Sequence, residues 1–131
     1  MQSSKFRRWL GYQKALRLCR SIERLTYTFP RREERRLSDQ IIRSSRSVCA
    51  NLAEAYGRRA YPKHFTAKVT DCITENYETQ VWLDIALDSQ YLATAHYHSY
   101  ILASEEVGKL LSYMLRNPGQ FTLPPGQILK G

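Results

Sequence analysis

No stretch of this 131-residue chain approaches the roughly 20 consecutive apolar residues of a membrane span. No charged-then-apolar leader opens it either, so the expectation is a cytoplasmic protein without a membrane partner. Cysteine is scarce: Cys19, Cys49 and Cys72 are an odd set, far apart in sequence, and read as buried free thiols rather than a disulfide framework. Histidine is scarcer still in useful patterns. His96 and His98 are two apart on a predicted helix and point to nearly opposite sides, and His64 has no partner four residues on, so no metal site is expected. No glycine-rich loop precedes a helix to cradle phosphates, which removes nucleotide hydrolysis and leaves Gly57 as a helix stop. Acidic residues are few as well, 12 Asp+Glu against 20 Lys+Arg for a net charge of +8.

The basic excess lies at one end. Residues 1–68 hold 17 Lys+Arg against 5 Asp+Glu, whereas residues 69–131 hold 3 against 7. Such a field concentrates and steers anions without dictating a fold. Most of the excess is arginine, whose planar fork grips phosphate oxygens in pairs and stacks on bases, which points to nucleic acid, RNA above all. The expected contacts are Lys14, Arg17, Arg20 and Arg24 on the first helix, Arg31, Arg32, Arg35 and Arg36 in the link after it, and Arg43, Arg46, Arg58 and Arg59 on the second. With few exposed stacking platforms, they would read phosphate and shape more than sequence. The alternative is a protein-interaction adaptor in which the same arginines meet an acidic protein surface.

At 43 % hydrophobic and 24 % charged, the chain fits one domain with a core large enough to fold without staples. Its apolar pattern is helical nearly throughout. Over residues 6–28 the set Tyr12, Ala15, Leu16, Cys19, Ile22 and Thr26 recurs every three or four residues until Pro30. A second stripe, Leu37, Ile41, Ser45, Val48, Leu52 and Ala55, lapses near Gly57. Pro62 suits the first turn of a third helix facing inward through Phe65, Val69, Cys72, Asn76, Leu83 and Leu87, before a turn around Ser89 and Gln90. Thr94 is the expected N-cap of a fourth, which buries Tyr100, Ile101, Ser104, Val107, Leu111, Met114 and Leu115. Four helices on short links make an all-α, antiparallel up-and-down four-helix bundle over residues 1–116. Residues 117–131, with three prolines and Gly119, Gly126 and Gly131, read as a flexible tail or docking arm.

Two polar stripes accompany the apolar ones. Gln40, Ser44, Ser47, Asn51, Glu54 and Arg58 step by four and three along the second helix, and Asp71, Glu75, Glu78 and Trp82 do so along the third. Small Ser44 and Ser47 would admit a close helix, with Asn51 and Glu54 fixing its register, so the two stripes are the expected subunit interface. Both could equally be solvated faces. No enzyme emerges from them. The Ser44, Ser45, Ser47 cluster lacks a base or an oxyanion donor, and Glu54 and Glu78, conceivable as an acid–base pair, more often meet arginine across helices. No catalytic residue and no cofactor is expected.

Residues 37–59, LSDQIIRSSRSVCANLAEAYGRR, make the chain recognisable. This run resembles the central motif of the four-helix-bundle family named for proteins encoded in intervening sequences of bacterial large-subunit (23S) ribosomal RNA genes. The similarity takes in Phe6, Tyr12-Gln13-Lys14-Ala15 and Phe29-Pro30, then Phe65, Glu78-Thr79, Trp82-Leu83, Ala86 and Tyr91-Leu92, leaving out the tail. The family often carries Pro at the position of Cys49, Gly at that of Ala55, and Gly-Ser where this chain has Thr74-Glu75. Without that proline the second helix need not kink. The resemblance implies a bundle that assembles as a ring-like homopentamer with no known enzymatic activity. A related branch, the accessory proteins of diversity-generating retroelements, implies a reverse transcriptase and its RNA template as partners, and the basic charge here is compatible with it.

Overall fold

The computed structural model describes residues 5–126. Among them are four α-helices and no strand: α1 (Leu10–Thr26), α2 (Asp39–Gly57), α3 (Pro62–Asp88) and α4 (Thr94–Arg116). Their contacts run in opposite directions around a closed ring. Toward α3, α2 offers Ser44 to Thr79, Val48 to Cys72 and Glu54 to Lys68. Toward α4, α3 offers Asn76 to Ser104 and Asp84 to Tyr97. Between α1 and α4, Lys14 meets Glu106 while Ser21 meets Tyr100. In each case one number rises as the other falls, so neighbouring helices are antiparallel and the bundle is up-and-down.

α1 starts later than its periodicity suggests. Residues 5–8 form a separate 3-10 turn and Trp9 is extended (φ −64°, ψ 126°), a bend that brings Phe6 to 5.0 Å from Tyr12 and 5.6 Å from Tyr56. Leu18 and Leu25 are buried beside the expected Ala15, Cys19, Ile22 and Thr26, because α1 faces both α2 and α4 and so needs a wider apolar arc. The Thr26 and Thr28 hydroxyls donate to the carbonyls of Glu23 and Leu25 where the helix ends. Pro30 opens a short 3-10 turn (Arg31–Glu33), followed by a wide π turn (Glu34–Ser38) that runs directly into α2 and buries Leu37.

On α2, Ile41, Ser45, Val48, Leu52 and Ala55 are all buried. On α3 the second half of the inward face is Thr79, Leu83 and Ala86, whereas Leu87 is only half-buried: after Asn76 the stripe advances by three, four and three, and Leu87 falls to its edge. Thr94 is not an N-cap. Ala93 holds that place with an extended backbone and no side-chain bond, and Thr94 is the first helical residue. In α4, Ser104, Val107, Leu111 and Met114 are buried, with Tyr100, Ile101 and Leu115 half-buried around them.

The expected flexible tail is in part packed. A 3-10 turn, Pro118–Gln120, sends Phe121 back against Trp9 (5.8 Å) and Tyr113 (6.2 Å), and the Leu123 N–H donates to the Arg59 carbonyl at 3.0 Å. Aromatic burial at the end of the bundle, where Trp9 also meets Phe65, gives this stretch a fixed place. Residues 127–131, the end of the expected tail, lie outside the described residues.

Candidate nucleic-acid interface

The two polar stripes meet each other inside one chain. Ser44 is fully buried, its Oγ 2.8 Å from Thr79 Oγ1, so it belongs to the α2–α3 core and not to an outer surface, a correction to its expected place in a subunit interface. The seam around it is ionic. Arg43 reaches Glu75 at 3.4 Å and also Glu78, while Lys68 reaches Glu54 at 2.8 Å and Asp71 at 3.8 Å. The hydrogen bond that Arg43 donates to Glu75 raises its guanidinium above its ordinary value, and the bond that Lys68 donates to Glu54 does the same for Lys68. Glu54 and Glu78 thus stand apart, each with its own cation. Asn51 donates to the Ser47 carbonyl of its own helix at 2.9 Å. Gln40 is exposed, Ser47 half-buried, and Trp82 half-buried with its Nε1 enclosed and without a hydrogen-bond partner among the described residues.

Intrachain pairing divides the candidate arginines into two groups. Arg43 is held by acids of α3, Arg46 by Glu23 at 3.3 Å, and Lys14 by Glu106. Arg59 lies over the Tyr56 ring, 3.5 Å from its centre, and its Nε donates to the Tyr56 carbonyl at 2.8 Å. These four cations brace the bundle. By contrast, the guanidinium groups of Arg17, Arg20, Arg31, Arg35, Arg36 and Arg58 have no acid or hydrogen-bond partner among the described residues, and that of Arg24 bonds only to the Ser21 hydroxyl at 3.3 Å.

Most of the second group occupies one end of the molecule. Arg20 and Arg24 project from the last turns of α1, and the link that follows presents Arg31, Arg32, Arg35 and Arg36, all exposed. The link is anchored at its base while its arginines face solvent. The Tyr91 hydroxyl, from the α3–α4 connection, donates to Glu33 at 2.8 Å and accepts from Arg32 at 3.4 Å, and buried Phe29 packs on the same ring. Such a cluster on a fixed frame can take phosphate oxygens without first being ordered. Along the outer face of α1, Arg17, Arg20 and Arg24 extend the basic surface into a shallow concavity of about 490 Å³.

The profile of the 23S rRNA-intervening sequence proteins matches residues 8–113. The chain belongs to this family. A crystal structure of a protein with unknown function from the S23 ribosomal protein family of Bacteroides thetaiotaomicron has the same fold, with a TM-score of 0.73 at 29 % identity over 82 % of this chain and 96 % of that one. No functionally curated protein matches significantly. Within this 23S rRNA-intervening sequence protein, Phe121 and Leu123, which close the end of the bundle, lie beyond the matched region.

Three features had no clear signal in the sequence. Tyr91 as the anchor of the basic link depends on a contact between two distant connections, and the Tyr56–Arg59 stack was legible only as a three-residue spacing. The third is that Cys19 of α1 and Cys49 of α2, distant in sequence, shift one another's titration, with the Ser45 hydroxyl 3.8 Å from the Cys19 sulfur. Among the described residues no cluster of His, Cys, Asp or Glu could hold a metal ion, and no helix is long and apolar enough to cross a membrane.

Proposed function

We propose that this 23S rRNA-intervening sequence protein is a non-enzymatic, self-associating RNA-binding scaffold of the cytoplasm, requiring no cofactor. The observation that carries this reading is the group of exposed arginines on the link and outer α1, left without acids while those of the seams are paired. Neutralising phosphates releases condensed counterions, which makes unpaired arginine at a surface the source of affinity. Copies assembled in a ring, five by family resemblance, would multiply weak single-site contacts into avidity. Self-association is supported by an apolar stripe on the outside of α3, where Tyr77, Val81 and Ile85 remain 64 %, 49 % and 41 % exposed at four-residue spacing. Gln40, Ser47, Asn51, Glu54, Asp71 and Glu75 edge the neighbouring seam and would flank a second copy. A ring that presents RNA in this way suits the accessory role in a retroelement, with a reverse transcriptase as protein partner.

Binding of a labelled structured RNA should be followed as salt is raised. Affinity should fall steeply with salt, and reversing Arg31, Arg32, Arg35 and Arg36 to Glu should weaken binding to unrelated sequences alike while helicity is kept. Absence of RNA binding by the wild type at low ionic strength, or undiminished binding by the reversed variant, would sink the reading.

A further inference from the structure

Two seams of the bundle stay open, α3–α4 over about 490 Å³ and α1–α4, and only the second adjoins the unpaired arginines of α1. Where α2 and α3 close tightly over hydroxyls, α1 and α4 leave an open groove of about 410 Å³, within the roughly 300–1,000 Å³ of small-molecule sites. Leu18, Ala103 and half-buried Tyr100 supply its apolar lining. Lys14 and Glu106 lie on its wall and neutralise one another, which leaves Arg17 and His96 to set the polarity of the rim.

Arg17 joins this groove to the basic concavity on the outer face of α1, since it lines both. From Arg17 to Arg24 the helix rises about 10 Å, and over that length it shows three guanidinium groups to solvent. A phosphate chain following those groups would pass the mouth of the groove. The chemistry inside then favours an aromatic, neutral, hydrogen-bonding unit over an aliphatic one. The Tyr100 hydroxyl reaches the Ser21 carbonyl at 3.4 Å, burial pushes its pKa up so that it stays protonated, and the Ser21 and Ser99 side chains add donors and acceptors beside it.

We propose that the α1–α4 groove holds one unpaired nucleotide of a bound RNA, its phosphate on Arg17 and its base against Tyr100. This rests on the RNA-binding reading above and adds a preference to it. A base in a duplex is stacked on both sides and cannot enter, whereas a loop nucleotide can be turned into the groove at little cost. Arginines of the link would hold any phosphate backbone, and the groove would sort looped RNA from blunt duplex.

Two labelled RNAs with the same stem, one closed by an unpaired loop carrying a fluorescent purine analogue and one a blunt duplex, separate these roles. The wild type should prefer the loop, with quenching of the analogue. Filling the groove by Ala103→Met should weaken loop binding by about 5- to 100-fold, the worth of one base–aromatic stack, and leave the duplex within about 2-fold. Ser99→Met, at an exposed position on the rim, gives the same test should Ala103→Met fold poorly. Equal affinity for both RNAs and no response to either filling variant would overturn the groove while leaving RNA binding in place. Displacement of the loop by polyglutamate as readily as by unlabelled RNA would also overturn it, as a site of charge alone. A wild type that binds neither RNA at low salt would remove the RNA-binding reading and the groove together.

Discussion

The thiols of Cys19 and Cys49 shift one another's titration in opposite directions. The hydrogen bond from Cys49 stabilises the Cys19 thiolate and brings its pKa from 9.0 down to about 6, against the opposing effect of burial, with the Ser45 hydroxyl (3.8 Å from Sγ) and the Arg46 charge adding to it. The second proton of the pair is then harder to lose, and Cys49 is pushed up. Since the folded chain releases the first proton more readily than the unfolded one, the pair contributes stability that grows as pH rises from about 6 toward 9.0 and is lost as pH falls through about 6. Cys72 has the opposite sign. Burial raises its thiol from 9.0 to about 12, so its contribution is full below 9.0 and disappears as pH rises through about 12. Replacing Cys49 with Ala should return the Cys19 titration toward its ordinary range, seen as an upward move of the lowest step in ultraviolet thiolate absorbance. A step that stays where it was would contradict the influence of Cys49 on Cys19.

At the scale of elements, the end of α3 carries a residue ill suited to its backbone. Gln90 has φ 63°, with its N–H bonded to the Leu87 carbonyl and the Tyr91 N–H bonded back to Ala86, the helix stop that glycine usually makes. A side chain in that conformation costs roughly 1 kcal/mol, so Gln90→Gly should raise the unfolding free energy by about that amount in a denaturant titration. No gain would mean that the glutamine makes a compensating contact. The stop itself was legible only as a turn near Ser89 and Gln90, because a left-handed backbone leaves no mark when the residue is not glycine or asparagine. On α2 the apolar stripe from Ile41 to Ala55 was legible, whereas the burial of Ser44 beside it was not, because a serine there reads as part of a polar face until Thr79 is opposite it. On α1 the rule failed for Leu18 and Leu25, where two neighbours widen the buried arc. The arginines of the site could be read as a composition. Which of them are free could not, since Arg43, Arg46 and Lys14 are neutralised by acids on other helices, contacts that exist only once the bundle closes.

For the molecule as a whole, the unpaired charge and the apolar stripe of α3 sit on different parts. Unpaired arginines crowd the link and outer α1, while Tyr77, Val81 and Ile85 lie on outer α3, so copies can join through one without covering the other. Light scattering at micromolar protein and moderate salt should give an oligomer mass for the wild type and a monomer for Val81→Glu with Ile85→Glu, since burying two carboxylates against apolar surface is prohibitive. A wild-type monomer would end the assembly reading, and an unchanged variant would move the interface off this stripe. The packing of α3 has a further bearing, on how such chains can be recombined. Near its midpoint α3 is matched to α2 through Ser44 and Thr79, and to α4 through Asn76, which donates to the Ser104 carbonyl at 2.9 Å and accepts from its hydroxyl at 3.0 Å. A gene chimera that imported α3 alone from a relative would inherit half of each match and bury the orphaned halves in the core. Crossovers that move α2, α3 and α4 together keep both, so the three helices form one heritable block, to which an exchanged α1 must bring back Cys19 for Ser45 and Glu23 for Arg46.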